Sequence, residues 1–298
     1  MTDYWIERYR RCTNRYTRFL VRQTANVVLP VYYALTRRRV NERKVPIEVS
    51  IASFPDRMPR IWLTIETLLR QTVQPERIVI RLARNQFPEG EKSLPRSLRR
   101  RLSKQVIIEW QAEDLRSYKK FFPAWPTKEG EVLMTADDDI YYPTRLIEKL
   151  WERHEQQPTA VIAAYTHEMR YDSDGRLLPY NDWKLRTTED GKHLFFGSGG
   201  GTLFPAGSLY EDAVKRELAL RLCPQADDIW LNAMTRLNGT PILRADIFPH
   251  ILPVLNPRTE KLASTNMDEG LNDKHLAALR EYYIRTLNCD PFALKNNA

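Results

Sequence analysis

The chain has 298 residues, 42% of them hydrophobic and 28% charged, with a mean hydropathy of −0.53. That excludes a disordered chain and leaves room for one large α/β domain with additions or for two small domains. Of the net charge of +8, all lies in residues 1–44, where eleven basic residues face Asp3, Glu7 and Glu42; the remainder has 35 of each sign, which argues against a nucleic-acid-binding body.

Within that basic segment, Trp5, Tyr9, Cys12, Tyr16 and Phe19 recur at helical spacing, with Arg8, Arg11, Arg15, Arg18 and Arg22 in the same rhythm beside them. The pattern predicts a helix lying in an anionic membrane interface, or one that docks its aromatic stripe on the body and leaves its arginines in water. No apolar run approaches the roughly 20 residues needed to span a bilayer, and the N-terminus does not read as a signal peptide. Cys12, Cys223 and Cys289 are odd in number and lack metal spacing, so a reducing compartment is expected. Together these place the chain in the cytoplasm, attached peripherally to the inner face of the cell membrane.

From Pro46 the pattern changes. IEVSIA, RIVIRLA, VIIEW, EVLMTA and AVIAAY read as strands. They alternate with amphipathic helices over PRIWLTIETLLRQT, a stretch from Leu115, and TRLIEKLWERHEQQ. Such alternation predicts a mostly parallel sheet with helices on both faces, whose ligands bind beyond the carboxyl ends of its strands. Residues 166–193 read as a long loop or small antiparallel excursion, and Gly197 to Gly201 holds four of the eleven glycines. Helices follow over EDAVKRELALRL and ADDIWLNAMTRL, then a helical tail over 256–298. Three segments result: a basic helical 1–45, a catalytic-type domain over 46–255, and the tail.

Asp137, Asp138 and Asp139 end a buried strand, and Asp227-Asp228 opens a later helix. Clustered carboxylates at a strand end suit Mg²⁺ or Mn²⁺, which prefer oxygen ligands and keep positions open for phosphates. No Gly-Lys-Ser/Thr phosphate loop or dinucleotide fingerprint is present. Taken in order, SIASFPDR, LLRQTVQPERIVI, TADDDIYYP, GSGGGTLFP and ADDIWL resemble bacterial family 2-like glycosyltransferases with the GT-A fold, of the kind associated with capsule and lipopolysaccharide synthesis.

The resemblance covers residues 46–255. It implies an inverting, metal-dependent transfer of a sugar from a nucleotide-sugar, a UDP-sugar in the common case, to a hydroxyl of a surface glycan or lipid-linked acceptor. It implies that Asp137 and Asp138 hold the donor, that Asp137 and Asp139 hold the metal, and that Gly199 and Gly200 lie beside the sugars. Asp228 is the implied base, its place at a helix start favouring the ionised form, and Asp227 caps the helix or touches the acceptor. Where common members carry a base-binding aspartate after the second strand, this chain reads RLARN; Ser53, Arg57 and Asp114 are the replacement candidates. Lys119 or Lys120 could add a cation to the phosphates, His250 could complete the metal shell, and Tyr180, Asp182 and Trp183 have the composition that sugar rings favour. The alternatives are a retaining transferase, a nucleotidyltransferase, and a non-enzymatic membrane-tethered binding module.

Overall fold

The computed structural model describes residues 1–38, 41–126, 128–191, 193–247, 251–256 and 270–294. Helices α1 (Thr2–Arg11) and α2 (Arg15–Leu35) precede β1 (Lys44–Ala52), α3 (Met58–Leu68), β2 (Gln74–Ala83), α4 (Arg96–Arg99) and β3 (Val106–Gln111). Then come β4 (Val132–Ala136), β5 (Ile140–Tyr141), α5 (Leu146–Gln156), β6 (Val161–Ala163) and the pair β7 (Thr166–Glu168) and β8 (Leu194–Phe196). The chain closes with β9 (Thr202–Pro205), α6 (Arg216–Leu222), α7 (Asp227–Leu237), β10 (Ile242–Arg244), β11 (Leu252–Pro253) and α8 (Leu271–Leu287).

Seven strands form one sheet in the order β10-β6-β9-β4-β1-β2-β3, parallel except for β9, which runs antiparallel to both β4 and β6. Period-two alternation puts Val45, Ile47, Val49 and Ile51 of β1 and Val132, Met134 and Ala136 of β4 on one face, against α3, α4 and α5. On the other face Leu133, Val161, Ala163 and Phe204 meet α6, α7 and α8. This is the doubly covered α/β sheet that the alternation of strands and helices predicts.

Three expectations fail locally. The helix expected over EDAVKRELALRL opens as a 3₁₀ turn, Glu211–Val214, and only Arg216–Leu222 is α-helical. The stretch from Leu115 is not a helix but two 3₁₀ turns, Arg116–Lys120 and Phe122–Ala124, since Pro123 and Pro126 deny it further helical hydrogen bonds. The N-terminal stripe is not one helix. It breaks between Arg11 and Arg15, where the Asn14 side chain caps α2 by accepting from the Tyr16 N–H at 2.7 Å.

Trp5, Ile6, Val21, Ala25, Leu29 and Tyr33 of the resulting hairpin pack on Leu63, Tyr141, Leu252 and Val254. The docked reading therefore holds for the first half of the stripe, while Tyr16 and Phe19 stay exposed. No helix among the described residues is long and apolar enough to cross a membrane.

Candidate active site

Because β1 and β4 are parallel neighbours, Ser53 and the acidic triplet emerge side by side at the carboxyl edge of the sheet. The Ser53 Oγ donates to Asp138 at 2.5 Å, and Thr64 donates to the Asp138 carbonyl at 2.9 Å, so the middle aspartate is turned inward. Arg57 donates to Asp139, and its Nε makes no hydrogen bond among the described residues but lies 3.9 Å from Asp138. Asp137 is the open member, with 44% of its side chain exposed, against 30% for Asp139. Burial first, and then the neighbouring Asp139 charge, pushes the Asp138 carboxyl up to about 7; burial also raises Asp139, with Arg57 opposing.

The glycine segment is pressed against this cluster. The Gly199 carbonyl accepts from the Asp137 N–H at 3.1 Å and from the Tyr142 hydroxyl at 2.5 Å. A Cβ on Gly199 would lie 1.8 Å from an Asp137 carboxylate oxygen, so only glycine lets the two strands' ends meet here. Gly201 takes φ +98 as the chain turns into β9, and Gly200 lies against Tyr165.

The second acidic pair reaches the same place from α7. Asn232, one turn further along that helix, donates to the Phe196 carbonyl at 2.8 Å and accepts from its N–H at 3.1 Å, tying α7 to the end of β8. This presents Asp227 and Asp228 to Ser198, whose hydroxyl donates to Asp227 at 2.8 Å and whose N–H donates to Asp228 at 2.7 Å. The link between clusters is Lys120, only 4% exposed, with its Nζ 2.8 Å from Asp137 and 3.2 Å from Asp227. Burial would lower the Lys120 pKa, but Asp137, Asp227 and Asp228 raise it overall, so the site holds a permanent cation. Burial likewise works against the Asp227 charge, yet Lys120, Ser117 and Ser198 hold that carboxyl below its ordinary range. Asp228 goes the other way: burial and the Asp227 charge lift it to about 7 and outweigh the helix start expected to favour its ionised form.

A cavity of about 250 Å³ is lined by Ser117, Lys120, Asp137, Tyr180, Asp227, Asp228 and, from α8, Asn272. A larger groove of about 590 Å³ lies along the sheet's β1–β3 half, but its charges answer one another, Arg81 pairing with Glu48 at 2.7 Å and Glu109 at 3.1 Å. The smaller cavity gathers the chemistry.

Several sequence candidates fall elsewhere. Lys119 is buried against Asp114, which Gln86 also contacts at 2.8 Å, so Lys120 is the lysine at the acidic clusters and Lys119 and Asp114 satisfy each other. Trp183 is 4% exposed, packed on Tyr180 and Phe195, with its indole N–H donating to the Leu178 carbonyl at 2.9 Å. It clamps the loop and offers no face to a sugar. Asp182 is exposed beside it, and His250 lies outside the described residues. The residues that sequence reasoning passed over are Ser198, inside the glycine run, and Tyr142, inside DDDIYYP; both motifs drew attention, but neither spacing tells which polar member turns inward.

Among the described residues no three His, Cys, Asp or Glu converge as a metal cage. The open oxygens of Asp137 and Asp139 nonetheless fit a divalent ion of the kind that takes one or two protein carboxylates and shares the rest of its shell with substrate phosphates and water.

No protein-family model matches the sequence, and a search of curated proteins finds no match. Among solved structures, the chain is similar to TarS residues 1–349 of S. aureus, at TM-score 0.47 and 12% identity over 83% of this chain and 66% of that one. The same protein in complex with UDP gives 0.44 and 11%, over 82% and 72%. The 4-diphosphocytidyl-2C-methyl-D-erythritol synthase of Anaerococcus prevotii gives 0.42 and 13%, over 67% and 87%. Likeness this distant says nothing of activity, which rests on the chain's own residues.

Proposed function

We propose that the chain is a GT-A-type glycosyltransferase that moves a sugar from a nucleoside-diphosphate donor to an acceptor hydroxyl with inversion. The observation that carries this is one cavity at the sheet's carboxyl edge. It joins an open carboxylate suited to a phosphate-bound cation, a buried lysine, and a second carboxyl, Asp228, whose pKa of about 7 suits a general base.

In this reading Asp137 and Asp139 hold Mn²⁺ or Mg²⁺, which when bound neutralises charge gathering on the diphosphate leaving group. Lys120 holds Asp137 and Asp227 in place, and Arg57, fixed to Asp139, adds a second cation at the phosphate side. The acceptor oxygen attacks the anomeric carbon as the bond from that carbon to the diphosphate breaks. Its proton passes to an Asp228 carboxylate oxygen, while Ser198 N–H orients the group. Asp227, held by Lys120, Ser117 and Ser198 below its ordinary range, stays ionised and is the weaker base of the two. Tyr180 and Asn272 line the acceptor side of the cavity.

The test is incubation of the protein with a panel of nucleoside-diphosphate sugars, an acceptor analogue and Mn²⁺. Release of free nucleoside diphosphate that stops on chelation is expected, as is loss of Mn²⁺-dependent donor binding in Asp137→Ala by calorimetry. Release of pyrophosphate from a nucleoside triphosphate and a sugar phosphate would mean nucleotidyl transfer instead. Unchanged donor affinity in Asp137→Ala would remove the triplet from the site.

A further inference from the structure

The helix α2 is apolar on two opposite sides. One side, Val21, Ala25, Leu29 and Tyr33, is the buried seam against the body. The other carries Tyr16, Leu20, Val27, Val31 and Leu35, between 54% and 80% exposed, with Phe19 at its edge. A helix surrounded by apolar side chains is expected where something covers both sides. From Tyr16 to Leu35 the uncovered stripe runs for about 29 Å at 1.5 Å per residue, which is more than scattered surface hydrophobes require.

The charge around the stripe says what covers it. No acidic residue occurs anywhere in α2, whose first two turns carry Arg15, Arg18 and Arg22; Arg8 is exposed on α1, where Glu7 pairs with Arg11 at 2.7 Å, and exposed Arg37 follows α2. Arg15 lies over the Tyr16 ring at 5.7 Å and Arg22 over Phe19 at 5.7 Å, so these cations ride on the rings of the stripe. A second copy of the chain would bring two strongly basic segments together. A sheet of anionic lipid headgroups offers the opposite charge beside an acyl layer for the stripe.

We infer that the exposed side of α2, not the Trp5–Tyr9 side that docks on the body, is a membrane-docking face, seated in an anionic bilayer surface. The face is rigidly linked to the sheet's carboxyl edge: Asn26 donates to the Pro253 carbonyl at 3.0 Å and accepts from the Leu255 N–H at 2.8 Å and the Tyr141 hydroxyl at 3.3 Å. Tyr141 stands two residues beyond Asp139, so lipid binding fixes the acidic triplet relative to the bilayer. The inference does not rest on the chemistry proposed above.

The experiment is flotation of the full chain with vesicles of phosphatidylcholine alone or mixed with phosphatidylglycerol, with thermal melting as a folding control. Binding to the mixed vesicles is expected, weakening as salt rises. Leu20→Glu/Val27→Glu/Val31→Glu is expected to lower binding about tenfold or more with an unchanged melt. Arg8→Gln/Arg15→Gln/Arg37→Gln is expected to lose about fivefold per arginine on mixed vesicles only, and decides the matter if the first variant misfolds. Failure of the wild type to bind, or undiminished binding by both variants, overturns the inference. A dimer in sedimentation that the glutamate variant dissociates, with no vesicle binding, assigns the face to a second copy.

Discussion

Asp137–Asp139 and Asp227–Asp228 are both runs of adjacent carboxylates, and both lean on Lys120, yet their surroundings divide them. The triplet follows a strand end, and two of its members stay partly open, each with one cationic partner. The pair begins a helix. Its first member is buried and bound by Lys120 and Ser198, while its second accepts from the Ser198 N–H. In the proposed reading these surroundings divide the work. Asp227, beside the Lys120 cation, stays charged, burial and the Asp227 charge lift Asp228 to about 7, and Asp137, open to the cavity, holds a ligand.

Removing basicity at one position should separate the two clusters most sharply. Asp228→Asn keeps the shape of the side chain and is expected to cut turnover about 10²–10⁴-fold, with donor affinity unchanged in calorimetry. If turnover survives and Asp227→Asn is dead, the roles within the pair are reversed; if neither change matters, a retaining mechanism becomes the better account.

The shared cation comes next. Lys120→Met leaves buried Asp227 without its counter-charge, a change of the kind that costs about 3 kcal/mol, so a clear drop in denaturant midpoint is expected. Lys120→Arg should recover part of it. A midpoint indifferent to both would mean that the two clusters are held together by Ser198 and the glycine segment alone.

The smallest effect is a shift in pH dependence. Asp228 must be ionised to accept a proton, so kcat/KM is expected to rise with pH through about 7 and level off above it. After burial, the Asp227 charge is the main cause of that high value. Asp227→Asn should move the acidic limb to lower pH, and it should also leave Lys120 freer to favour the Asp228 carboxylate. A limb that stays in place would show that another group titrates.

The strands around the triplet were legible because β1, β2 and β4 are short apolar runs bounded by turn residues, and an acidic run directly after β4 marks its carboxyl end. What the pattern could not tell is which neighbour turns inward. Lys119 and Lys120 sit in one 3₁₀ turn, where adjacent side chains diverge by about 120°, and only the pairing of Asp114 with one and of Asp137 with the other separates them. Trp183 was misread for a similar reason: YNDWK has the makeup of a sugar platform, and its burial depends on Phe195, contributed by a later strand. At the N-terminus the aromatic period of three and four ran straight through Asn14, whose capping role is a stronger signal than the stripe that concealed the break.

The antiparallel strand β9 bears on how the molecule comes together in time. It pairs Thr202 with Thr135 of β4 and Leu203 with Ile162 of β6, so among the described strands the backbone pairing of the sheet's two halves runs through a strand made long after β4. Contacts this distant in sequence are slow to form because loop-closure entropy is lost before they return anything. The pairings of β1 with β4 and of β6 with β10 reach at least as far along the chain, so the meeting of Gly199 with Asp137, just ahead of β9, belongs with them to one slow phase. Refolding followed by a probe at the cavity is thus expected to lag behind the recovery of secondary structure.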